Sequence, residues 1–423
     1  MKYKIYVKNH NNVQATKYNN IHLVKHKKIN YNENRFVFEK FNLFKYHINK
    51  PYKCSREIFN CSLACLKNIP FKIHIAKNVL HDRYSERNRY FKIGFRSNKK
   101  INFEVHRSAI KKVLLNLIDI NYISFRYSIS HSQLQFLNYC INLNEVAIYK
   151  YDNNVDILYY LKNCFQLQKL SCVDNKIKSL SGLSKCVNLK DIYCWSNEIE
   201  SLDGLDYCIN LTNLLCQYNK IISLSNLSKC INLMRINCTN NKITSLDGLQ
   251  KCINLRELVC SNNELTSLNE IINCINLLEI NCSNNQITSL CALGDCINLK
   301  KINCNANKIQ SLNGLNSCKQ LQILYCSMNS VESLNGLDNN VNLKELRCSH
   351  NQLALLIGIN FLSNLKILYC HDNRIISLDA IKDLNLDELH CNNNKIITFN
   401  TIKNKKCIVR ADCPIMKHDY CYY

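Results

Sequence analysis

At 423 residues the chain is long enough for a large core or two domains, and its 47% hydrophobic content predicts that most of it folds. The net charge of +23 is uneven: residues 1–112 hold 26 Lys/Arg against 6 Asp/Glu, while the rest hold 29 against 26, so two functional parts are expected. No run of 18 or more apolar residues occurs, which excludes a membrane-spanning helix from the reading.

Residues 1–104 show no repeat. Several segments alternate with period two: "KYKIYVK" (2–8), "RFVFEKF" (35–41), "FKIHIAK" (71–77), "RYFKIGF" (89–95) and "INFEVHR" (101–107). Their aromatic and β-branched residues predict a small, basic, β-rich domain. Lys25, Lys27 and Lys28 form one basic patch; Arg83, Arg87, Arg89, Lys99 and Lys100 belong to a second, interleaved with Tyr and Phe. Such a surface attracts phosphate and offers rings for base stacking, so nucleic acid is the alternative partner here. An acidic protein or a plain solvated face fits the same charges, and no nucleic-acid motif accompanies them.

Next, "SAIKKVLLNLI" (108–118) places Ile110, Val113, Leu114, Leu117 and Ile118 on one helical face, with Ser108 as N-cap. Residues 105–160, this helix and a degenerate stretch, are expected to cap the array that follows.

From residue 161 to 400 the chain repeats every 22 residues. Cys recurs at 172, 194, 216, 238, 260, 282, 304, 326, 348 and 370, then at 391 after a unit one residue short. Asn stands three places after each, from Asn175 to Asn394; Ile, Leu or Val stands five places after. A fixed period of this length means a solenoid. In "LRELVC" the alternation puts Leu255, Leu258 and Cys260 inward and Glu257 and Val259 outward, as in a short strand. Behind the strand the chain must turn and bury backbone polar groups. A carboxamide carries donor and acceptor together and can satisfy them from inside the turn.

The unit L-x-x-L-x-C-x-x-N-x-I-x-S-L-x-x-L resembles leucine-rich repeats of the 22-residue SDS22-like and internalin-like class, over about residues 140 to 400. The resemblance implies an α/β-type leucine-rich repeat solenoid, with a curved parallel sheet on the concave side and an irregular or 3-10 convex side. It also implies a non-enzymatic interaction protein that binds a partner protein on its concave face. The departure is systematic, since Cys replaces Leu in the strand. The overall Asn, Lys, Ile and Tyr bias is similar to that of proteins from large amoeba-infecting DNA viruses.

A second column, Cys140, Cys164, Cys186, Cys208, Cys230, Cys252, Cys274, Cys296 and Cys318, also replaces apolar residues, and Asn340 and Leu362 interrupt it. At those interruptions the array either bends or tolerates drift. Free Cys behaves as a small hydrophobe, so both columns read as core packing. The total of 27 is odd, and the start "MKYKIYVKNHNN" has no apolar signal-peptide core. An intracellular, reducing compartment, the cytoplasm, is therefore expected. Residues 401–423, with "CIVRADCPIMKHDYCYY", are expected to cap the far end.

No GxxxxGK[ST], HExxH, GxSxG or kinase set occurs, so no catalytic residue is nominated. Cys54, Cys61 and Cys65 with His74, and Cys407, Cys413 and Cys421 with His418, have poor zinc spacing; no metal, cofactor or small-molecule substrate is expected. The candidate site is the outward strand column just before each Cys: it offers Tyr193, Tyr325, Arg347 and Tyr369. The next outward place adds Trp195 and His371, and Tyr218 follows one coil after Trp195. Trp, Tyr and Arg dominate binding hot spots because they bury much area at low entropic cost.

Overall fold

A computed structural model of the protein describes residues 140–148, 157–397 and 407–411, residues 123 and 137, and the backbone of seven earlier strands. The expected helix over 108–118 and the segment 35–41 lie outside the described residues. The chain divides into two compact units: residues 1–177 with 181–189, and residues 178–180 with 190–423.

In the first unit β1 (Tyr3–Ile5), β2 (Lys17–Tyr18) and β3 (Ile21–Leu23) form a small sheet, with β3 parallel to β1 and antiparallel to β2. β4 (Phe71–Asn78), β5 (Tyr90–Arg96) and β6 (Lys100–His106) pair antiparallel in that order. β7 (Ile120–Phe125) pairs parallel with β4 on one side and with β8 (Glu145–Ile148) on the other; β9 (Lys169–Ser171) continues the parallel ladder from β8. β7 thus carries a strand within the stretch that reads as degenerate. The 3-10 turn Leu158–Leu161 lies under a second one, Ser181–Leu183, where a Cβ on Gly182 would meet the Leu158 carbonyl at 2.3 Å.

The second unit is a solenoid. Eleven three-residue strands run parallel: β10 (Asp191–Tyr193), β11 (Asn213–Leu215), β12 (Arg235–Asn237), β13 (Glu257–Val259), β14 (Glu279–Asn281), β15 (Lys301–Asn303), β16 (Ile323–Tyr325), β17 (Glu345–Arg347), β18 (Ile367–Tyr369), β19 (Glu388–His390) and β20 (Ile408–Arg410). Register follows the period, with Ile236 opposite Leu258 and Leu258 opposite Ile280. The middle residue of β10 to β19 is buried and its neighbours face outward. A single coil hides seven side chains almost completely: Leu233, Ile236, Cys238, Ile243, Leu246, Leu249 and Cys252. At about 25 cal/mol per Å² of apolar surface, that repeated burial is the main favourable term.

The turn after each strand is built by asparagine. Asn285 donates to the carbonyls of Cys260 (3.0 Å), Cys282 (3.0 Å) and Ser283 (3.2 Å), and its Oδ1 accepts the Leu265 amide at 3.0 Å. One carboxamide therefore ties its own coil to the preceding one. The same pattern recurs at Asn219, Asn241, Asn263, Asn307, Asn329, Asn351, Asn373 and Asn394. The residue before each of these Asn sits in the left-handed region, with φ between 52° and 57°. Asn or Asp suits that place in six of the eleven coils beginning at Asp174, while Met328 and Tyr218 occupy it exposed to solvent.

Two further ladders explain consensus residues. The Ser hydroxyl accepts the amide two residues on, as Ser245 does from Asp247 at 3.1 Å and Ser289 from Cys291 at 3.2 Å. On the far turn a second Asn column donates to the preceding coil: Asn232 to Ile209 O (2.9 Å), Asn276 to Ile253 O (2.9 Å), Asn364 to Val341 O (2.8 Å). That turn takes two forms. Coils with Gly182, Asn226, Glu270, Ala292 or Ala380 close it as a 3-10 helix. Coils with Gly204, Gly248, Gly314, Gly336 or Gly358 at the same place use a positive φ instead; Gly248 stands at +107°, and a Cβ there would meet Leu224 O at 2.1 Å.

Asn340 and Leu362 do not break the array. Leu343 N reaches Asn340 O at 2.9 Å and Leu365 N reaches Leu362 O at 2.9 Å, just as Leu277 N reaches Cys274 O at 3.0 Å. The drift is tolerated.

Asn285→Ala strips carbonyls from two coils of their donor, and a loss of about 2–4 kcal/mol is expected from chemical denaturation. Asn285→Asp should be no better, because a carboxylate would face three carbonyl oxygens. Conversely, Met328→Gly relieves a left-handed backbone at an exposed site and should gain about 0.5–1 kcal/mol in the same measurement.

Candidate functional site

The register fixes what stands beside what on the outward face. Tyr325, Arg347, Tyr369, His390 and Arg410 are successive partners in one column. Neighbouring strands lie about 4.8 Å apart, close to the spacing of stacked planar groups. The Arg347 guanidinium lies over the Tyr325 ring at 4.8 Å and the Tyr369 ring at 4.7 Å, so it is clamped between two phenols. Tyr369 in turn stacks on His390, with centroids 4.0 Å apart and planes at 7°.

Carboxylates from the outward place two residues earlier brace this stack. Glu345 accepts Arg347 Nε at 2.7 Å, and partial burial followed by this carboxylate raises the Tyr325 phenol. Glu388 accepts the Tyr369 hydroxyl at 2.9 Å and lies 2.7 Å from His390 Nε2. The Tyr369 hydrogen bond, against partial desolvation, and then His390 and Arg410 hold the Glu388 carboxyl below its usual value. Partial burial, then Glu388, raises the Tyr369 phenol, so it stays a neutral donor. The stack is a rigid, preorganised surface whose side chains have little rotamer freedom left to lose on binding.

The structure thus gathers three of the nominated residues, Tyr325, Arg347 and Tyr369, and adds His390, Glu345 and Glu388. Tyr193 and Trp195 flank buried Cys194 at β10, both half-buried, six strands or roughly 29 Å along the sheet from Tyr325. Tyr218 stands at the left-handed turn position rather than on the strand, with φ of 57° and 58% of its surface exposed. His371 faces a different group, formed with His350 and Asp372. Between the two ends the column mixes Leu215 and Val259 with Asn237, Asn281 and Asn303. Of the basic patches, Lys25, Lys27, Lys28, Arg83, Arg87, Arg89 and Lys99 lie outside the described residues, and Lys100 is described only as the first backbone position of β6. Cys54, Cys61, Cys65, Cys413, His418 and Cys421 also lie outside them.

All 20 cysteines of the two columns are buried free thiols. Burial pushes Cys172, Cys238 and Cys282 up to about 12, and Cys216 and Cys260 well above the ordinary thiol value. A nucleophile or metal ligand acts as the thiolate, the form that this burial disfavours. Cys291 is exposed, and Cys407 is half-buried and raised to about 11 by desolvation, then by Asp387.

Comparisons with known proteins agree with this architecture. The family description of leucine-rich repeats in two copies matches residues 166–207. No curated protein matches the chain significantly. Among solved structures it is similar to an internalin, InlF, of Listeria monocytogenes, at 21% identity and a TM-score of 0.57, over 67% of this chain and 89% of that one. It is also similar to the functional domain of InlJ from Listeria monocytogenes, which includes a cysteine ladder, at 23% identity and a TM-score of 0.54, over 69% and 66%. A third is the leucine-rich-repeat ectodomain of the Arabidopsis thaliana receptor kinase GASSHO1/SCHENGEN3 in complex with CASPARIAN STRIP INTEGRITY FACTOR 2, at 19% and 0.50, over 67% and 40%. The protein is a leucine-rich-repeat solenoid. Within that class its 22-residue coil is internalin-like. Among the described residues, no helix is long and apolar enough to cross a membrane.

Mapping of thiol adducts after brief maleimide treatment of native protein should find Cys291 modified fast and Cys407 slowly. The 20 column thiols should react only after denaturant is added; rapid adducts on Cys238 or Cys260 would contradict their burial.

Proposed function

We propose that the protein is a non-catalytic interaction scaffold that grips a partner protein on the concave sheet face of its solenoid. The observation that carries this reading is the Tyr325–Arg347–Tyr369–His390 stack. Four planar side chains in register, braced by two carboxylates, form a fixed amphipathic surface with donors, acceptors and ring faces all outward. Arg and Tyr in that arrangement are the side chains that dominate protein interfaces. A similar solenoid is known in complex with CASPARIAN STRIP INTEGRITY FACTOR 2, which supports a proteinaceous ligand for this chain.

Tyr193, Trp195 and Tyr218 form a second, more distant anchor, and Asn237, Asn281 and Asn303 between the two anchors offer hydrogen bonds in the middle of the face. Residues 1–112, with their excess positive charge, add long-range attraction for an acidic partner and raise its association rate. Twenty free thiols in the core fit a reducing, intracellular setting.

The test is site-specific photo-crosslinking in the native cell from position 325 or 369, with position 231 on the opposite turn as control. A discrete adduct from the sheet positions alone is expected, and, read from position 325, Arg347→Ala with Tyr369→Ala should reduce it at least about tenfold. Equal adducts from position 231, or an adduct indifferent to the double substitution, would overturn the reading.

A further inference from the structure

Beside the stacked column, one coil edge carries a different chemistry. His350 and Asp372 occupy the left-handed turn position of successive coils, with φ of 53° and 56°, and His371 precedes Asp372. The backbone binds these places together: the His350 amide donates to the His371 carbonyl and the Asp372 amide to the Asn392 carbonyl, both at 3.0 Å. Asp372 Oδ2 lies 2.5 Å from His371 Nδ1 and 3.4 Å from His350 Nε2, and the two imidazoles meet edge to face, centroids 5.2 Å apart. The other carboxylate oxygen is occupied, because Asn393 Nδ2 donates to Asp372 Oδ1 at 2.7 Å.

Two imidazoles and one carboxylate converge here, each offering a ligand atom within 4.8 Å of the others. We propose that His350, His371 and Asp372 form a divalent transition-metal site of the zinc type, with Asn393 as the residue that orients the carboxylate. The donor set is two borderline nitrogens and one hard oxygen, which suits Zn²⁺ over Ca²⁺ or Mg²⁺ and leaves one position open. Ligand atoms around a tetrahedral zinc at about 2.0–2.1 Å stand about 3.3 Å apart. The His350–Asp372 pair already matches that spacing. The His371–Asp372 pair must open by under about 1 Å, within reach of a side-chain rotation at partly exposed residues.

Support comes from outside the three ligands too. In most coils the turn position carries Asn, Ser, Ala, Tyr or Met, and His occurs there once, directly across from one of the two Asp. Asn393 supplies the outer-shell hydrogen bond that metal-binding carboxylates characteristically receive. The inference is independent of the docking face: either could hold without the other.

The test uses the full chain in a non-chelating phosphine reductant, dialysed against Zn²⁺, with bound metal counted by elemental analysis. Cysteines elsewhere in the chain can also bind zinc, so the readout is a difference. Wild type should hold one equivalent more than the His350→Ala, His371→Ala double variant, and Asn393→Ala should weaken that equivalent about tenfold or more. With Co²⁺ as probe, the wild-type-minus-variant spectrum should show ligand-field bands and no thiolate-to-cobalt charge transfer. Unchanged circular dichroism of the variants keeps the comparison valid, since His350 is exposed and His371 half-exposed. Equal zinc content in wild type and double variant, or a difference spectrum dominated by thiolate charge transfer, would overturn the site.

Discussion

The structure depends on one side chain placed repeatedly inside a turn. A parallel strand of three residues makes too few bonds to hold its neighbours by itself, and the chain must reverse direction immediately afterwards with its polar backbone inside. The turn Asn meets both needs at once. Its amide group serves carbonyls of two successive coils, and its oxygen serves an amide of the earlier one, as at Asn285 and Asn329. Each bond contributes only about 1 kcal/mol net, but leaving such groups buried and unpaired costs about 1–3 kcal/mol apiece. The constraint is therefore mainly one of cost avoided. It admits coils of only one register and makes stability a sum over nearest neighbours.

That fixed register is what turns a sequence column into a surface. With every strand held opposite its equivalent, Tyr325, Arg347, Tyr369 and His390 stack whether or not they attract one another, and their mutual attraction then rigidifies them. The same logic governs the turn edge. The left-handed place needs only a tolerable φ, so most coils fill it with Asn or another residue of no evident chemistry. Where two adjacent coils carry His350 and Asp372 instead, the scaffold presents them side by side at no further conformational cost. Function on such an array needs only the right residues at equivalent places in neighbouring coils.

The strand and turn columns were legible in the sequence because burial imposes identity at each period: inward Leu258 and Cys260, outward Glu257 and Val259, and Asn263 in the turn all stand as the spacing predicts. Ladders that use polar residues on the outside were harder to read. Ser245 and Asn276 look like ordinary loop residues until their partners, two residues on or 23 residues back, are seen. The role of His390 was hidden for a similar reason, since nothing in "LDELHC" reveals that Glu388 and Tyr369 enclose it. In the first unit, the parallel pairing of β4 with β7 joins segments about 50 residues apart that share no period, so no spacing announces it.

Cysteine was read as a small hydrophobe, and the interior shows a second reason for it. Thiols of the second column point at carbonyls 22 and 25 residues earlier: Cys318 Sγ lies 3.7 Å from Cys296 O and 3.5 Å from Leu293 O, and Cys296 Sγ lies 3.4 Å from Cys274 O. Asn340, fully buried where the column would carry its next Cys, donates to the carbonyls at the same two offsets, Cys318 O at 2.8 Å and Leu315 O at 3.0 Å. A polar residue is accepted there because acceptors are already waiting for it. The Asn340 side-chain oxygen gains no partner in exchange, which is the cost of that replacement and a reason for it to be rare. Leu362, one coil on, fills the volume and makes no such donation, so neither size nor hydrogen bonding alone is obligatory. Cysteine satisfies both requirements weakly and offends neither: it is small enough for a crowded turn, apolar enough for a core and able to donate where a carbonyl faces inward. A column of such compromises can run through nine coils without strain, and a stronger donor or a larger hydrophobe suits only some of them.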